Sequence, residues 1–158
     1  MTSSFTLGRI AGIRIGVNWS VLVIFVIIAF GLAVGRFPAN YPQHGAAAHV
    51  TAGLVTAVVF FASLLAHEIS QAIVARRNGL RADDITLWLF GGVARLSGEA
   101  RDPGAELRIA GIGPLVSLLL GGAFLAAAAL LAAAGQAGLL LEALTWLGGI
   151  NIAWRSST

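Results

Sequence analysis

Five consecutive residues, His67-Glu68-Ile69-Ser70-Gln71, stand near the end of a long apolar run and carry the most chemistry in the chain. They differ by one letter from H-E-x-x-H. In the intact pattern two imidazoles at i and i+4 share one helical face and grip a metal ion, while the carboxylate beside the first activates a water. Here the first imidazole and the carboxylate are present, and a carboxamide holds the second ligand position. An amide oxygen is a weaker zinc donor than an imidazole nitrogen. A catalytic zinc takes about three protein ligands plus a water, so one imidazole does not suffice.

Other donors offer little help. Asp83, Asp84, Glu99, Asp102 and Glu106 fall in or beside polar loops, and Glu142 falls near the far end of the last apolar segment. With no Cys, the chain has no disulfide, no thiol nucleophile and no cysteinyl metal site. On one continuous helix His49 would lie roughly 27 Å from His67 at 1.5 Å per residue, and His44 further still. Both read as exposed or interfacial groups on an external loop. From the residues alone, a packed interior in which Glu68 is protonated or bonded to His67, Ser70 or Gln71 competes evenly with an inherited metal site.

The elements that must position these residues are membrane spans. Of 158 residues, 58% are hydrophobic and 11% charged, with mean hydropathy +0.87; soluble domains carry about a quarter charged residues. Four apolar segments, Trp19 to Val34, Val50 to Ala75, Leu107 to Ala133 and Leu139 to Trp154, compare with the roughly 20 residues that cross a bilayer. The first and last are short. The reading is an all-α membrane bundle of about four transmembrane helices with short cytoplasmic β-hairpins, in a single domain over residues 1–158. All basic residues are Arg. With the N-terminus in the cytoplasm, every Arg except Arg36 falls inside, as the positive-inside rule requires. The richness in Ala, Gly and Arg suits a high-GC bacterial genome, and so a bacterial cell membrane. A signal peptide ending near Ala33-Val34-Gly35 is the weaker reading of the first segment. The pI near 11.1 does not indicate nucleic acid, because the arginines flank apolar spans instead of forming a polar patch.

Two stretches read as hairpins: Thr6 to Val17, and Ile85 to Leu96, which alternates Ile85, Leu87, Leu89 against Thr86, Trp88, Phe90 before a turn at Gly91-Gly92. Their edges suit an extended peptide partner. Asp102, Pro103 and Glu106 supply a helix start. Gly31 and Gly35 form a G-x-x-x-G pair that in so Gly-rich a chain fits chance. Asn151 reads as an interhelical hydrogen-bonding group. His67 and Glu68 lie roughly 13 Å inside the boundary that Arg76 marks. An acidic group that deep costs on the order of 2.5 to 3.5 kcal/mol, so it should face a bundle interior or an aqueous cavity.

The chain resembles the site-2 protease family of intramembrane zinc metalloproteases. The likeness runs in order through LGRIAGIRIGVNWS (Leu7 to Ser20), LLAHEISQAIVARRNGL (Leu64 to Leu80), ITLWLFGGVARL (Ile85 to Leu96), AGIGPLVSLLL (Ala110 to Leu120) and WLGGINIAW (Trp146 to Trp154). It implies that His67 is the first zinc ligand and Glu68 the general base. It puts Gln71 at the second ligand position and Asn18 where the family often has His. It further implies that Gly91 and Gly92 shape a loop against substrate and that Gly113-Pro114 frames the active-site cavity. The family's third ligand, an Asp in Leu-Asp-Gly, has no counterpart before Thr158. Gln71 and the polar Arg155-Ser156-Ser157-Thr158 ending are read as marks of an altered and truncated gene. The expectation is therefore a family member with impaired or absent activity that does not retain zinc. The alternative is a noncatalytic pseudoprotease that binds transmembrane or juxtamembrane peptides.

Overall fold

Residues 5–88, 91–97 and 102–154 are described by a computed structural model. They fall into two compact units: residues up to Val23 with Leu64–Val116, and Ile24–Ser63 with the segment from Ser117 onward.

In the first unit β1 (Phe5–Ile10) and β2 (Ile13–Val17) form an antiparallel hairpin. Its two-residue turn places Ala11 and Gly12 at positive φ (52° and 77°), the twist that suits tight hairpins. β3 (Arg81–Trp88) and β4 (Gly91–Ser97) form the second hairpin. The two hairpins make one four-stranded sheet, because β2 pairs in parallel with β3 from Arg14↔Asp84 to Val17↔Leu87. Gly91 and Gly92 are not the turn. They open β4 in register with Trp88 and Leu87, since β3 alternates its side chains through to Trp88. Leu89 and Phe90, expected to continue the strand, lie outside the described residues, as do Glu99, Arg101 and Arg155 to Thr158.

The sheet buries one face. Ile13, Ile85 and Ala82 pack with Ala72, joined by Ile69 and Ile73, near the end of α3 (Ala46–Arg77). Arg76 clamps the hairpin tip, its Nη1 donating to the Ala11 carbonyl at 2.7 Å. α4 (Pro103–Ala133) starts as its sequence dictates. Asp102 Oδ1 accepts from the Ala105 amide at 2.7 Å, Pro103 stands first in the helix, and the helix continues through Pro114.

Three helical segments are long and apolar enough to cross a membrane: Trp19–Asn40, Ala46–Arg77 and Pro103–Ala133. The fourth expected span is the shorter α5 (Leu139–Trp154, 16 residues). The first span exceeds its expected end at Val34 because α1 (Trp19–Phe30) runs through a π-helical stretch, Gly31–Arg36, into α2 (Phe37–Asn40). Asn18 caps α1, its Oδ1 accepting from the Ser20 amide at 3.1 Å.

The second unit holds Leu32, Phe37 and Ala143 in a core with Trp146, which meets Phe60 edge-on at 5.7 Å. A Cβ on Gly31 or Gly35 would meet nothing; the close approach is at Gly53, where a Cβ would come within 2.7 Å of the Ala29 carbonyl. Gly121 and Gly148 approach each other similarly, each Cβ position lying about 3 Å from the other's carbonyl (3.0 and 3.1 Å). Arg36 Nε donates to Glu142 Oε1 at 2.6 Å, and Asn40 Nδ2 donates to the same oxygen at 3.2 Å. His49, expected as an exposed or interfacial group on an external loop, is buried in the first turn of α3 with its Nε2 3.0 Å from the Tyr41 carbonyl; His44 is exposed. Asn151 is buried and donates within its own helix to the Leu147 carbonyl at 2.8 Å.

Candidate functional site

A helix carries residues i and i+4 on one face, and α3 uses this to bring His67 and Gln71 together. Gln71 Nε2 lies 3.2 Å from His67 Nε2. A carboxamide N–H donates, and an imidazole nitrogen accepts it in the tautomer that carries its proton on Nδ1. His67 is fully buried and Glu68 is 6% exposed, which answers the high cost of placing them in contact with hydrocarbon. Ser70 turns away from the pair's polar atoms, its Oγ donating to the His67 carbonyl at 2.6 Å.

Gly113 of α4 completes the arrangement. A Cβ there would stand 2.5 Å from His67 Nε2 and 2.8 Å from its Cδ2, and would also strike Gln71 Nε2. Only a residue without a side chain lets α4 approach the two polar groups so closely. The resemblance implied only that Gly113-Pro114 frames the active-site cavity, without the direct approach of Gly113 to His67 and Gln71. The available signal was a Gly inside a long helix, where it costs about 1 kcal/mol relative to Ala and so points to a packing reason.

The other expected site residues, Gly91 and Gly92, lie on the sheet. Gly91 and Gly92 belong to β4, paired with Trp88 and Leu87. Among the described residues no three His, Cys, Asp or Glu side chains converge as metal ligands. The donors at the site are one imidazole, one carboxylate and one carboxamide already bonded to the imidazole. Among the described residues that set is fewer than the about three imidazole, thiolate or carboxylate ligands that a catalytic zinc takes.

Comparison with known proteins gives the setting. The chain matches Peptidase family M50 over residues 55–153. It is 42% identical over 152 residues to a Mycobacterium tuberculosis protein that carries the name zinc metalloprotease Rip3, covering 96% of this chain and 38% of that one. A zinc metalloprotease of Synechocystis sp. is 36% identical over 122 residues, 76% of this chain and 31% of that one. The chain thus spans less than two fifths of the length of these relatives. Its fold matches that of the solved site-2 protease from Methanocaldococcus jannaschii with a TM-score of 0.64 at 24% identity, covering 96% of this chain and 62% of that one. A buried His-Glu pair one turn before Gln71, on a membrane-length helix flanked by a mixed sheet, thus sits within that family's region of the chain: this is a membrane protein belonging to Peptidase family M50, the site-2 protease family.

Proposed function

We propose that this chain carries the scaffold of an intramembrane zinc peptidase whose hydrolytic centre is switched off at Gln71. The parental activity is zinc-dependent hydrolysis of peptide bonds in transmembrane substrates, at a bacterial cell membrane with the N-terminus in the cytoplasm. His67 stands at the first ligand position and Glu68 at that of the general base. The observation that carries the reading is the 3.2 Å contact between Gln71 Nε2 and His67 Nε2, with Gly113 seated against both. The carboxamide stands where the family's second imidazole would be and lies within hydrogen-bonding distance of the first inside the bundle.

The test is metal content. The purified chain, equilibrated with zinc in detergent and then desalted, should retain no stoichiometric zinc, whereas Gln71→His, in a chain that also supplies the family's Asp in Leu-Asp-Gly, should gain it through two imidazoles one turn apart and that carboxylate. One tightly held ion per molecule in the parent chain, together with scission of an embedded peptide, would overturn the proposal. A Gln71→His variant of that completed chain that still takes up no zinc would also count against it.

A second reading is favoured by the open edges of the sheet: a noncatalytic binder of transmembrane or juxtamembrane peptides. The backbone of β4 has no partner strand on its far side among the described residues, and such edges accept extended segments. A photo-crosslinkable transmembrane peptide with an extended juxtamembrane tail should label β4 and remain uncut. No labelling would sink this reading.

A further inference from the structure

The hairpin before the first span divides apolar from charged side chains in a way that its contacts within the protein do not use up. Paired residues of antiparallel strands share a face. Phe5↔Val17 and Ile10↔Ile13 therefore place Phe5 and Ile10 on the face that carries Ile13 and Ile15, and Arg9↔Arg14 places both arginines on the other. On β2 that apolar face is covered, with Ile13 0% and Ile15 1% exposed. On β1 the same face is open: Phe5 is 61% and Ile10 48% exposed. Leu7, the extra residue where the register shifts between Thr6 and Gly8, is 69% exposed. The opposite face is polar, with Arg14 Nε 3.5 Å from Asp84 Oδ1.

We infer that β1 is a membrane-interface anchor, its Phe5, Leu7 and Ile10 side chains seated in the headgroup and upper acyl region of the bilayer. Continuity with the lipid-facing surface identifies lipid as the occupant. β2 passes through the single residue Asn18 into α1, whose first turns expose Trp19, Leu22 and Val23. Phe5 pairs with Val17 and so lies about one strand spacing, ~4.8 Å, from the point where the chain enters the membrane. The open face of β1 prolongs a face already packed on a membrane helix, while the charged face turns away from it. A second copy adding to the β1 edge is disfavoured by the bulge at Leu7, because bulges interrupt the regular pairing that strand addition needs.

The strand is also graded in depth. Arg76 holds the turn at Ala11, at the end of α3, while Phe5 sits at the other end of the hairpin beside the start of α1. Val17 is four residue steps from Ile13, up to ~13 Å at about 3.3 Å per residue, so Phe5 lies deeper than Ile10.

The absence of cysteine makes the test direct. Phe5→Cys, Ile10→Cys and Thr6→Cys, the last on the charged face, are each labelled with an environment-sensitive fluorophore in the full chain. The proteins are reconstituted in phosphatidylcholine–phosphatidylglycerol vesicles that contain nitroxide lipids of different depth. Labels at Phe5 and Ile10 should emit to the blue of the label at Thr6 and be quenched severalfold more strongly. The deeper nitroxide should act best on Phe5 and the headgroup nitroxide best on Ile10. Equal quenching at all three sites, water-like emission at Phe5, or rapid Phe5→Cys disulfide dimerisation with no lipid quenching would overturn the inference.

Discussion

Replacing Gly113 with Ala tests whether α4 is held against the His67–Gln71 pair. The added methyl would stand 2.5 Å from His67 Nε2, against the roughly 3.5 Å of an unstrained contact, so ring or backbone must yield by about 1 Å. Overpacking of this kind costs about 1–3 kcal/mol, and displacing the Gln71 amide forfeits a further ~1 kcal/mol. The better helix propensity of Ala offsets about 1 kcal/mol. The net expectation is a loss of roughly 1–3 kcal/mol. Gly111 supplies the control. It lies in the same helix with nothing within 4 Å of its Cβ position, so Gly111→Ala should be neutral or slightly stabilising. Equilibrium unfolding in mixed micelles, followed by far-UV circular dichroism, measures both variants. Adding Gln71→Ala to Gly113→Ala should restore part of the loss, because neighbours in contact couple by about 0.5–3 kcal/mol. Identical behaviour of the Gly113 and Gly111 variants, within about 0.5 kcal/mol, would refute the contact.

The same physics applies in the second unit, where Gly121→Ala drives a methyl toward the Gly148 carbonyl at 3.0 Å and Gly122→Ala meets nothing. The first should lower the unfolding midpoint in micelles and the second should leave it unchanged. Asp102→Ala removes the acceptor for the Ala105 amide and should cost about 1 kcal/mol, with Asp102→Asn retaining most of the cap. Amide hydrogen exchange in the first turn of α4 should quicken in the Ala variant and not in the Asn variant.

The membrane class and the identity of the helices were legible because apolar run length is a strong signal and α3 and α4 have ample length. The start of α4 was legible residue by residue from Asp102, Pro103 and Glu106. Boundaries were less so. Nothing in Gly31–Arg36 announces a π-helical stretch, and the pairing of Arg36 and Asn40 with Glu142 that holds this region is remote in sequence. The two hairpins were visible from alternation, and Gly12 marked the first turn, but Gly91 and Gly92 pointed to the wrong place for the second. The union of the hairpins was not visible, because parallel pairing of β2 with β3 has no local signature. At the site, spacing alone brought His67 and Gln71 to one face, whereas the approach of Gly113 depends on how α4 packs. Burial of His49 escaped notice because its partner is a backbone carbonyl, which sequence does not distinguish.

The parallel pairing of β2 with β3 carries a consequence for how the molecule is made. Between Val17 and Arg81 the chain passes through two membrane-length helices before the second strand exists to pair with the first. The seam between the hairpins can therefore close only after both helices have been delivered by the insertion machinery, late in assembly and against the loop entropy of the intervening chain. Arg76 at the end of the second of those helices donates to the Ala11 carbonyl, so the seam forms beside a contact that ties the first hairpin to that helix. A polypeptide with either helix misplaced would leave two orphan hairpins, with the buried faces of Ile13 and Ile85 open to quality-control proteases.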